Sequence, residues 1–184
     1  MNKIYTSKGD DGFTGMLGEG RIPKFHPRIE TVGSLDEASA ALGMARALAN
    51  NSTSAQVLVE AQRHLYQIMA EISATPENAA TFHSITPEIV TSLESKIDQI
   101  STSITLPKQF IVPGDSPAGA ALALSRAIVR RAERQVAKLL HEDEIQNNEI
   151  LRYLNRLSSL CFVLELLENQ ASGIDSPTLA RKDV

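Results

Sequence analysis

The sequence predicts an all-α protein, a bundle of five helices preceded by a glycine-rich segment. Apolar residues recur at three- and four-residue intervals in five successive stretches. No alternation of strands with helices, as in a Rossmann sheet, interrupts them, and nothing repeats internally. Five of the ten glycines lie between Gly9 and Gly20, before the first helical stretch. We expect one domain, made of a glycine-rich segment (1–27), a helical bundle (28–171) and a tail (172–184).

The first three helices have proline near a boundary. Pro27 lies near the start of the first, where the fixed φ of proline suits a helix. The second stops before Pro76, since proline cannot continue a helix. The third has Thr86 as N-cap and Pro87 at its first helical position. The predicted bounds are 28–49, 53–74 and 87–101.

The last two helices follow the stretch "TLPKQFIVPGDSPAG". The apolar spacing predicts one helix from about Pro117 to His141 and another from about Asp143 to Gln170. The tail after Gly173 is expected to be frayed.

The fourth helix has two faces. Arg126, Arg130 and Glu133 point away from the bundle core, with Arg134 at the edge of that face. The apolar stripe opposite consists of Ala121, Leu124, Ile128, Ala132, Val136 and Leu139. Arginines four residues apart repel one another by about 0.2–0.5 kcal/mol per pair. A solvated basic face, a bound anion or a second subunit would each account for them. The apolar residues on or beside the arginine face, which favour a second subunit, are Leu122, Val129, Ala137 and Leu140.

The glycine-rich segment has the composition of a phosphate-binding loop. Glycine accepts positive φ and allows backbone N–H groups to approach phosphate oxygens. The side chains that would add charge or hydroxyl donors are Lys8, Lys24, Thr6 and Thr14. The segment is not a Walker A loop, because GxxxxGK[ST] is absent. A flexible, turn-rich segment is the alternative that these residues leave open.

Composition excludes several classes of protein. The 184 residues are 42% hydrophobic and 4% aromatic, which suits one aliphatic core. A net charge of −4 gives no basic field for nucleic acid. No apolar stretch approaches the roughly 18 residues of a membrane span, and the polar start has no signal-peptide core. The single cysteine, Cys161, lies in an apolar run and favours a reducing compartment, which we expect to be the cytoplasm.

Three long motifs occur in the order "KIYTSKGDDGFTGMLGEGRIPKFHPRIETVGSLDEASAALG", "FIVPGDSPAGAALALSRAIVRRAERQV" and "YLNRLSSLCFVLELLEN". Together they resemble the PduO-type ATP:cob(I)alamin adenosyltransferases over nearly the whole chain. The resemblance implies a homotrimer of five-helix bundles that binds ATP and corrinoid between subunits. It would transfer the 5′-deoxyadenosyl group to the cobalt of cob(I)alamin and release triphosphate. Mg²⁺ would arrive with the ATP phosphates, and a reductase or an adenosylcobalamin-dependent enzyme is an expected partner.

The resemblance also assigns roles to individual residues. Those implied to bind ATP are Thr6, Ser7, Lys8, Gly9, Thr14, Gly15, Lys24, Arg130, Glu133, Arg134 and Asn155. Those implied to act in catalysis are Arg126, Arg130, Asp36 and Phe110. Arg131 points elsewhere on the helical wheel, so we do not expect it to contact the nucleotide directly.

Two of these roles have plain alternatives. Asp36 is implied to pair with the Arg126 of a neighbouring subunit, and Phe110 to form an aromatic wall that removes the lower axial ligand of cob(II)alamin. Without the resemblance, Asp36 reads as a solvent-facing helix carboxylate, and Phe110 as a core aromatic beside a turn.

The chain departs from the family's usual pattern at several positions. Where the family reads "TKxGDKG", this chain has Ser7, Lys8 and Asp11, so phosphate affinity is expected to be lower. The frequent "PGG" ends in Asp115, and the aspartate after "NRLS" is Ser159, which bears on corrinoid activation.

Two other functions stay open beside the enzyme: a non-catalytic carrier or sensor of ATP or corrinoid, and an unrelated helical scaffold. The four histidines lack paired metal spacing, so no protein-ligated zinc or iron site is expected.

Overall fold

A computed structural model describes residues 4–83 and 85–181 of the chain. Within them, the predicted five-helix architecture is confirmed. The helices are α1 (Pro27–Leu48), α2 (Ser52–Ser73), α3 (Pro87–Ser101), α4 (Pro117–His141) and α5 (Asn148–Ala171). A short antiparallel hairpin, β1 (Phe13–Gly15) with β2 (Arg21–Pro23), precedes them, with Thr14 opposite Ile22. A 3₁₀ turn, Ala79–Phe82, follows α2.

The core lies where α4 packs between α1 and α5, with α2 against α1 and α3 against α5. It is aliphatic, as the composition predicts; Leu35, Leu65 and Leu154 are fully buried. Burial of each such side chain contributes about 1.5–3 kcal/mol. Tyr153 is the large aromatic of this core, and its hydroxyl lies 2.9 Å from Nδ1 of His64. In the described part of the chain, no helix has both the length and the apolarity to cross a membrane.

Side chains at the starts of the helices explain most of the boundaries. The Nδ1 of His26 accepts the first-turn N–H of Arg28 in α1, and the carboxamide of Asn51 accepts that of Thr53 in α2. Ser116 caps α4 by accepting the N–H of Gly119 over 3.0 Å. Such caps satisfy N–H groups that have no partner within the helix.

The predicted start of α5 at Asp143 is wrong. Asp143 has a left-handed backbone with φ 55°, which a helix cannot accommodate, and it closes the turn after α4. The helix begins at Asn148, where Asn147 accepts the N–H of Glu149 over 3.0 Å.

The tail was expected to be frayed, and over its described residues this is also wrong. Leu179 pairs with Ile111 in an antiparallel bridge. The N–H of Ala180 donates to the carbonyl of Phe110, and the N–H of Val112 donates to that of Thr178, each over 2.8 Å. The tail therefore lies against the loop between α3 and α4.

The predicted faces of α4 are partly wrong. Leu122 and Val129 are fully buried, whereas Leu124, assigned to the core stripe, is 50% exposed. The reason is that α4 packs against two helices, so its buried arc is wider than a single stripe. Ala137 and Leu140 are half-buried, and Leu140 packs against the core. The arginine face thus lacks most of the apolar surround expected of it.

Candidate functional site

An open cavity of about 840 Å³ lies between α4, α5 and the loop of residues 102–116. Its volume falls in the range of sites that hold cofactor-sized ligands. The chemically distinctive side chains that line it are Phe110, Arg126, Arg130, Asn155, Phe162 and Glu165. Four of the residues assigned from the sequence, Phe110, Arg126, Arg130 and Asn155, are therefore brought together in one place.

Arg126 and Arg130 lie one helical turn apart on α4, and both are exposed. The guanidinium of Arg126 sits 6.0 Å from the ring centroid of Phe162 on α5, at the limit of a cation–π contact. The next residue along, Arg131, leaves the cavity and forms an ion pair with Glu37 of α1. This confirms that Arg131 points elsewhere. The two cavity arginines present guanidinium groups to an incoming anion.

Asn155 is held in one orientation by its neighbours. Its Nδ2 donates to Oε1 of Glu133 over 2.8 Å, and its Oδ1 accepts from Nη1 of Arg156 over 2.8 Å. Arg156 is fixed in turn, because its Nε donates to Glu94 of α3 over 2.8 Å. Glu133 thus adjoins the cavity through Asn155, although it is not among the cavity's lining residues.

Phe110 is 89% exposed, so the interpretation of this residue as a core aromatic is wrong. Its neighbours Leu106 and Val112 are exposed as well. All three lie in the loop between α3 and α4. Phe110 lies on the wall of the cavity, on the loop side.

Glu165 is a cavity residue that sequence reasoning missed. It is 3% exposed on α5, one turn beyond Phe162. Burial raises the pKa of its carboxyl to about 7; the charge of Arg126 acts in the opposite direction, and that of Asp115 adds to the rise. Its position as a charged residue within the apolar run "CFVLELLEN" could have indicated Glu165 from the sequence. Cys161, beside it, is fully buried as expected.

The glycine-rich segment forms the hairpin and the turns that flank it. It is anchored to the end of α2, because the N–H of Leu17 donates to the carbonyl of Ser73 over 2.8 Å. Gly9 lies against Lys24, since a Cβ on Gly9 would stand 3.0 Å from the lysine Nζ. An ammonium group therefore lies beside the backbone of Gly9.

Asp11 is neutralised by a partner that the sequence analysis did not single out. Arg21 donates to both carboxylate oxygens of Asp11, over 2.8 and 2.7 Å, and to the carbonyl of Phe13 over 3.1 Å. The hydrogen bonds from Arg21 and from the N–H of Phe13 hold the pKa of the Asp11 carboxyl down to about 2. The carboxylate at this position therefore closes the turn rather than standing as an unpaired negative charge.

The remaining assigned residues lie outside the cavity lining. They are Thr6, Ser7, Lys8, Gly9, Thr14, Gly15, Lys24, Asp36, Glu133 and Arg134. Asp36 is exposed on α1 and has no ion pair or hydrogen bond from its side chain within the described part of the chain. Four of the assigned residues thus line the cavity of a single chain, and the residues of the glycine-rich segment and Asp36 do not.

No group of three or more metal-ligating side chains is found in residues 4–83 and 85–181.

Comparisons with known proteins identify the family. A family model described as "Cobalamin adenosyltransferase" matches residues 4–168. The chain is 35% identical over 176 residues to a corrinoid adenosyltransferase of Bacillus subtilis, covering 94% of this chain and 89% of that protein. It is also 35% identical over 167 residues to the corrinoid adenosyltransferase PduO of Citrobacter freundii, covering 90% of this chain. The chain spans 50% of the length of that second relative.

A solved structure has the same fold. It is a phenylalanine-to-histidine variant of a PduO-type ATP:corrinoid adenosyltransferase from Lactobacillus reuteri, complexed with cobalamin and ATP. The TM-score is 0.86 at 32% sequence identity, with 99% of this chain and 100% of that chain covered. An arginine-to-lysine variant from the same organism, complexed with ATP, matches with a TM-score of 0.85 at 30% identity.

Proposed function

The chain belongs to the cobalamin adenosyltransferase family, and from this premise we propose that it transfers the 5′-deoxyadenosyl group of ATP to the cobalt of cob(I)alamin. The observation that carries the proposal is the cavity, which combines two exposed arginines with an exposed phenylalanine. The arginines suit a polyphosphate, and the phenylalanine suits an apolar macrocycle. A non-catalytic carrier or sensor is not favoured, because the curated relatives are adenosyltransferases.

The reaction asks for positioning and charge stabilisation more than for acid–base chemistry. The cobalt of cob(I)alamin donates an electron pair to C5′ of ATP, so a Co–C bond forms. The C5′–O bond breaks, and triphosphate leaves with the electrons of that bond. Cob(I)alamin is already a strong nucleophile, so no general base is needed. Arg126 and Arg130 stabilise the departing triphosphate by placing two positive charges on the wall of the open cavity.

Mg²⁺ held by the nucleotide phosphates would neutralise part of their charge.

The glycine-rich segment and Asp36 of a neighbouring subunit complete the site in a homotrimer. The glycine-rich segment, with Lys24 beside Gly9, holds the nucleotide phosphates. The exposed, unpaired state of Asp36 within its own chain supports a pairing with Arg126 across the interface. Neither the glycine-rich segment nor Asp36 lines the cavity of its own chain, which agrees with a site shared between subunits.

Phe110 acts as an aromatic wall on the corrinoid side. It keeps water and the displaced lower axial base away from cobalt, which eases the reduction of cob(II)alamin by a reductase in the cytoplasm. Ser159 lines the same cavity, where the family's aspartate is absent.

The test is an anaerobic assay of the purified protein with ATP, Mg²⁺ and chemically reduced cob(I)alamin. We expect loss of the Co(I) absorbance, with adenosylcobalamin and triphosphate formed in equal amounts. Binding of ATP and corrinoid without any product would contradict catalysis and favour the carrier or sensor.

A further inference from the structure

Asp115 accepts two hydrogen bonds from one residue of the tail. The N–H of Thr178 donates to Oδ2 over 2.9 Å, and the hydroxyl of Thr178 donates to Oδ1 over 2.6 Å. The start of α4 does not depend on Asp115, because Ser116 caps it by accepting from the N–H of Gly119. The carboxylate therefore serves the contact with the tail, and hydrogen bonds to a charged acceptor are about twice as strong as neutral ones.

The same stretch of tail holds the backbone on both sides of Ile111. The carbonyl of Phe110 accepts from Ala180 and the N–H of Val112 donates to Thr178, each over 2.8 Å. Leu179 faces Ile111 as a bridge partner. Thr178 thus bonds both to Asp115, at the end of the loop, and to Val112, within it. Four hydrogen bonds tie residues 178–180 to residues 110–115.

The Phe110 side chain does little to fix its own position. It is 89% exposed, so it gains little from packing within the chain. Ordering the backbone of each loop residue costs conformational entropy, and this cost must be offset by contacts elsewhere. The bonds to the tail are contacts of this kind, and those of Asp115 are the charge-assisted ones among them.

We propose that Asp115 and Thr178 are positioning residues that hold Phe110 on the cavity wall through the tail. This inference rests on the proposed function, in which Phe110 displaces the lower axial ligand. It adds that Asp115, at the end of "PGD", determines whether the Phe110 side chain is held in place on the cavity wall. Loss of the hydrogen bonds between Asp115 and Thr178 releases the loop. The rate of adenosylation from cob(II)alamin then falls, while the rate from cob(I)alamin is largely retained.

The experiment compares Asp115→Ala with Asp115→Asn. Asparagine keeps an oxygen that accepts from the N–H of Thr178, and its amide donates to the threonine hydroxyl, which is able to accept. Asp175→Ala removes another carboxylate of the same tail, for which no side-chain hydrogen bond is described, and serves as the control. For each variant, the adenosylation rate is measured from pre-reduced cob(I)alamin and from cob(II)alamin with a reductant. The fraction of bound cob(II)alamin that lacks a lower ligand is read by electron paramagnetic resonance.

We expect Asp115→Ala to lower the rate from cob(II)alamin about tenfold, as loss of hydrogen bonds to a charged group predicts. Its rate from cob(I)alamin should fall less than about threefold, and the fraction without a lower ligand should fall. Asp115→Asn, which keeps two hydrogen bonds but loses the charge, should give a rate from cob(II)alamin between those of Asp115→Ala and the wild type. Asp175→Ala should resemble the wild type. Equal rates in Asp115→Ala and wild type, or equal losses from both substrates, would overturn the inference. Failure of the wild type with cob(I)alamin would instead overturn the proposed function.

Discussion

Nδ2 of Asn155 on α5 lies 2.8 Å from Oε1 of Glu133 on α4, and this hydrogen bond joins the two helices that form the walls of the cavity. Because Arg156 occupies the carboxamide oxygen of Asn155, the amide nitrogen is directed toward Glu133. The bond fixes Glu133 beside the cavity arginines, which keeps its negative charge in one place when ATP enters.

Asn155→Ala should raise the KM for ATP about tenfold, because it frees the Glu133 carboxylate, and hydrogen bonds to charged groups contribute about 1.5–3 kcal/mol. The measurement is steady-state kinetics with ATP varied at saturating cob(I)alamin. Asn50→Ala, which removes an exposed bond to Ser172, is the control and should leave the KM unchanged. An unchanged KM in Asn155→Ala would exclude a role for this pair in nucleotide binding.

Phe110→Ala should impair adenosylation from cob(II)alamin about tenfold and that from cob(I)alamin much less. A tenfold loss means that Phe110 stabilises cob(II)alamin without its lower axial ligand by about 1.4 kcal/mol. Since Phe110 is 89% exposed, the melting temperature should not change. Phe25→Ala, which removes another exposed phenylalanine, is a matched control. Equal losses of rate with cob(II)alamin and cob(I)alamin would refute the role of Phe110 in removing the lower axial ligand.

Glu165→Gln should stabilise the protein at pH 8 and leave its stability unchanged at pH 4. The pKa of the Glu165 carboxyl is about 7 in the folded chain and ordinarily 4.5. The folded state therefore favours the protonated acid, so the cost of ionising it grows as pH rises from 4.5 to 7. The charged or titratable groups around it are Arg126, Asp115 and Cys161.

The gain in Glu165→Gln should be at least about 1 kcal/mol at pH 8, since one pKa unit corresponds to 1.36 kcal/mol. It is measured by urea unfolding at the two pH values. A variant that is less stable than the wild type at pH 8 would mean that the ionised carboxylate is well paired.

Arg28→Met should destabilise the fold by about 3 kcal/mol. Arg28 is 8% exposed, and it ties the start of α1 to the carbonyl of Ala74 over 2.9 Å and to Glu144 over 2.8 Å. Its loss leaves a buried carbonyl without its donor. Urea unfolding measures the effect, with Arg152→Met as the control, because the exposed pair of Arg152 with Glu149 should contribute less than about 1 kcal/mol. Similar stabilities of the two variants would contradict the role given to Arg28.

The boundaries that the sequence predicted well are those with local causes. Pro87 and Pro117 begin α3 and α4 because proline suits the first turn of a helix. The start of α5 was missed because the left-handed backbone of Asp143 is a property of the turn, which a helical period does not reveal. The three-residue strands of the hairpin are likewise too short to show a period of two.

The candidate site was predicted in part. Helical spacing puts Arg126 and Arg130 on one face of α4, and the resemblance of the motifs to a known family implied the roles of these two residues and of Asn155. The residues that position the site through hydrogen bonds could not be predicted, since they are distant from one another in sequence. Asp115 and Thr178 are 63 residues apart, and no local pattern connects them. The exposure of Leu124 similarly depends on how two other helices pack against α4.

The central claim is that transfer takes place in the cavity between α4 and α5. The most direct measurement compares the rate of adenosylcobalamin formation from cob(I)alamin in Arg130→Ala and Arg131→Ala, with circular dichroism recorded for both. Arg130 lines the cavity, whereas its neighbour is paired with Glu37 of α1. We predict a loss of about 100-fold or more in Arg130→Ala, the cost of removing one group that stabilises transition-state charge, with an unchanged helical spectrum. Arg131→Ala should keep most of the activity. An active Arg130→Ala, or one that unfolds, would contradict the account.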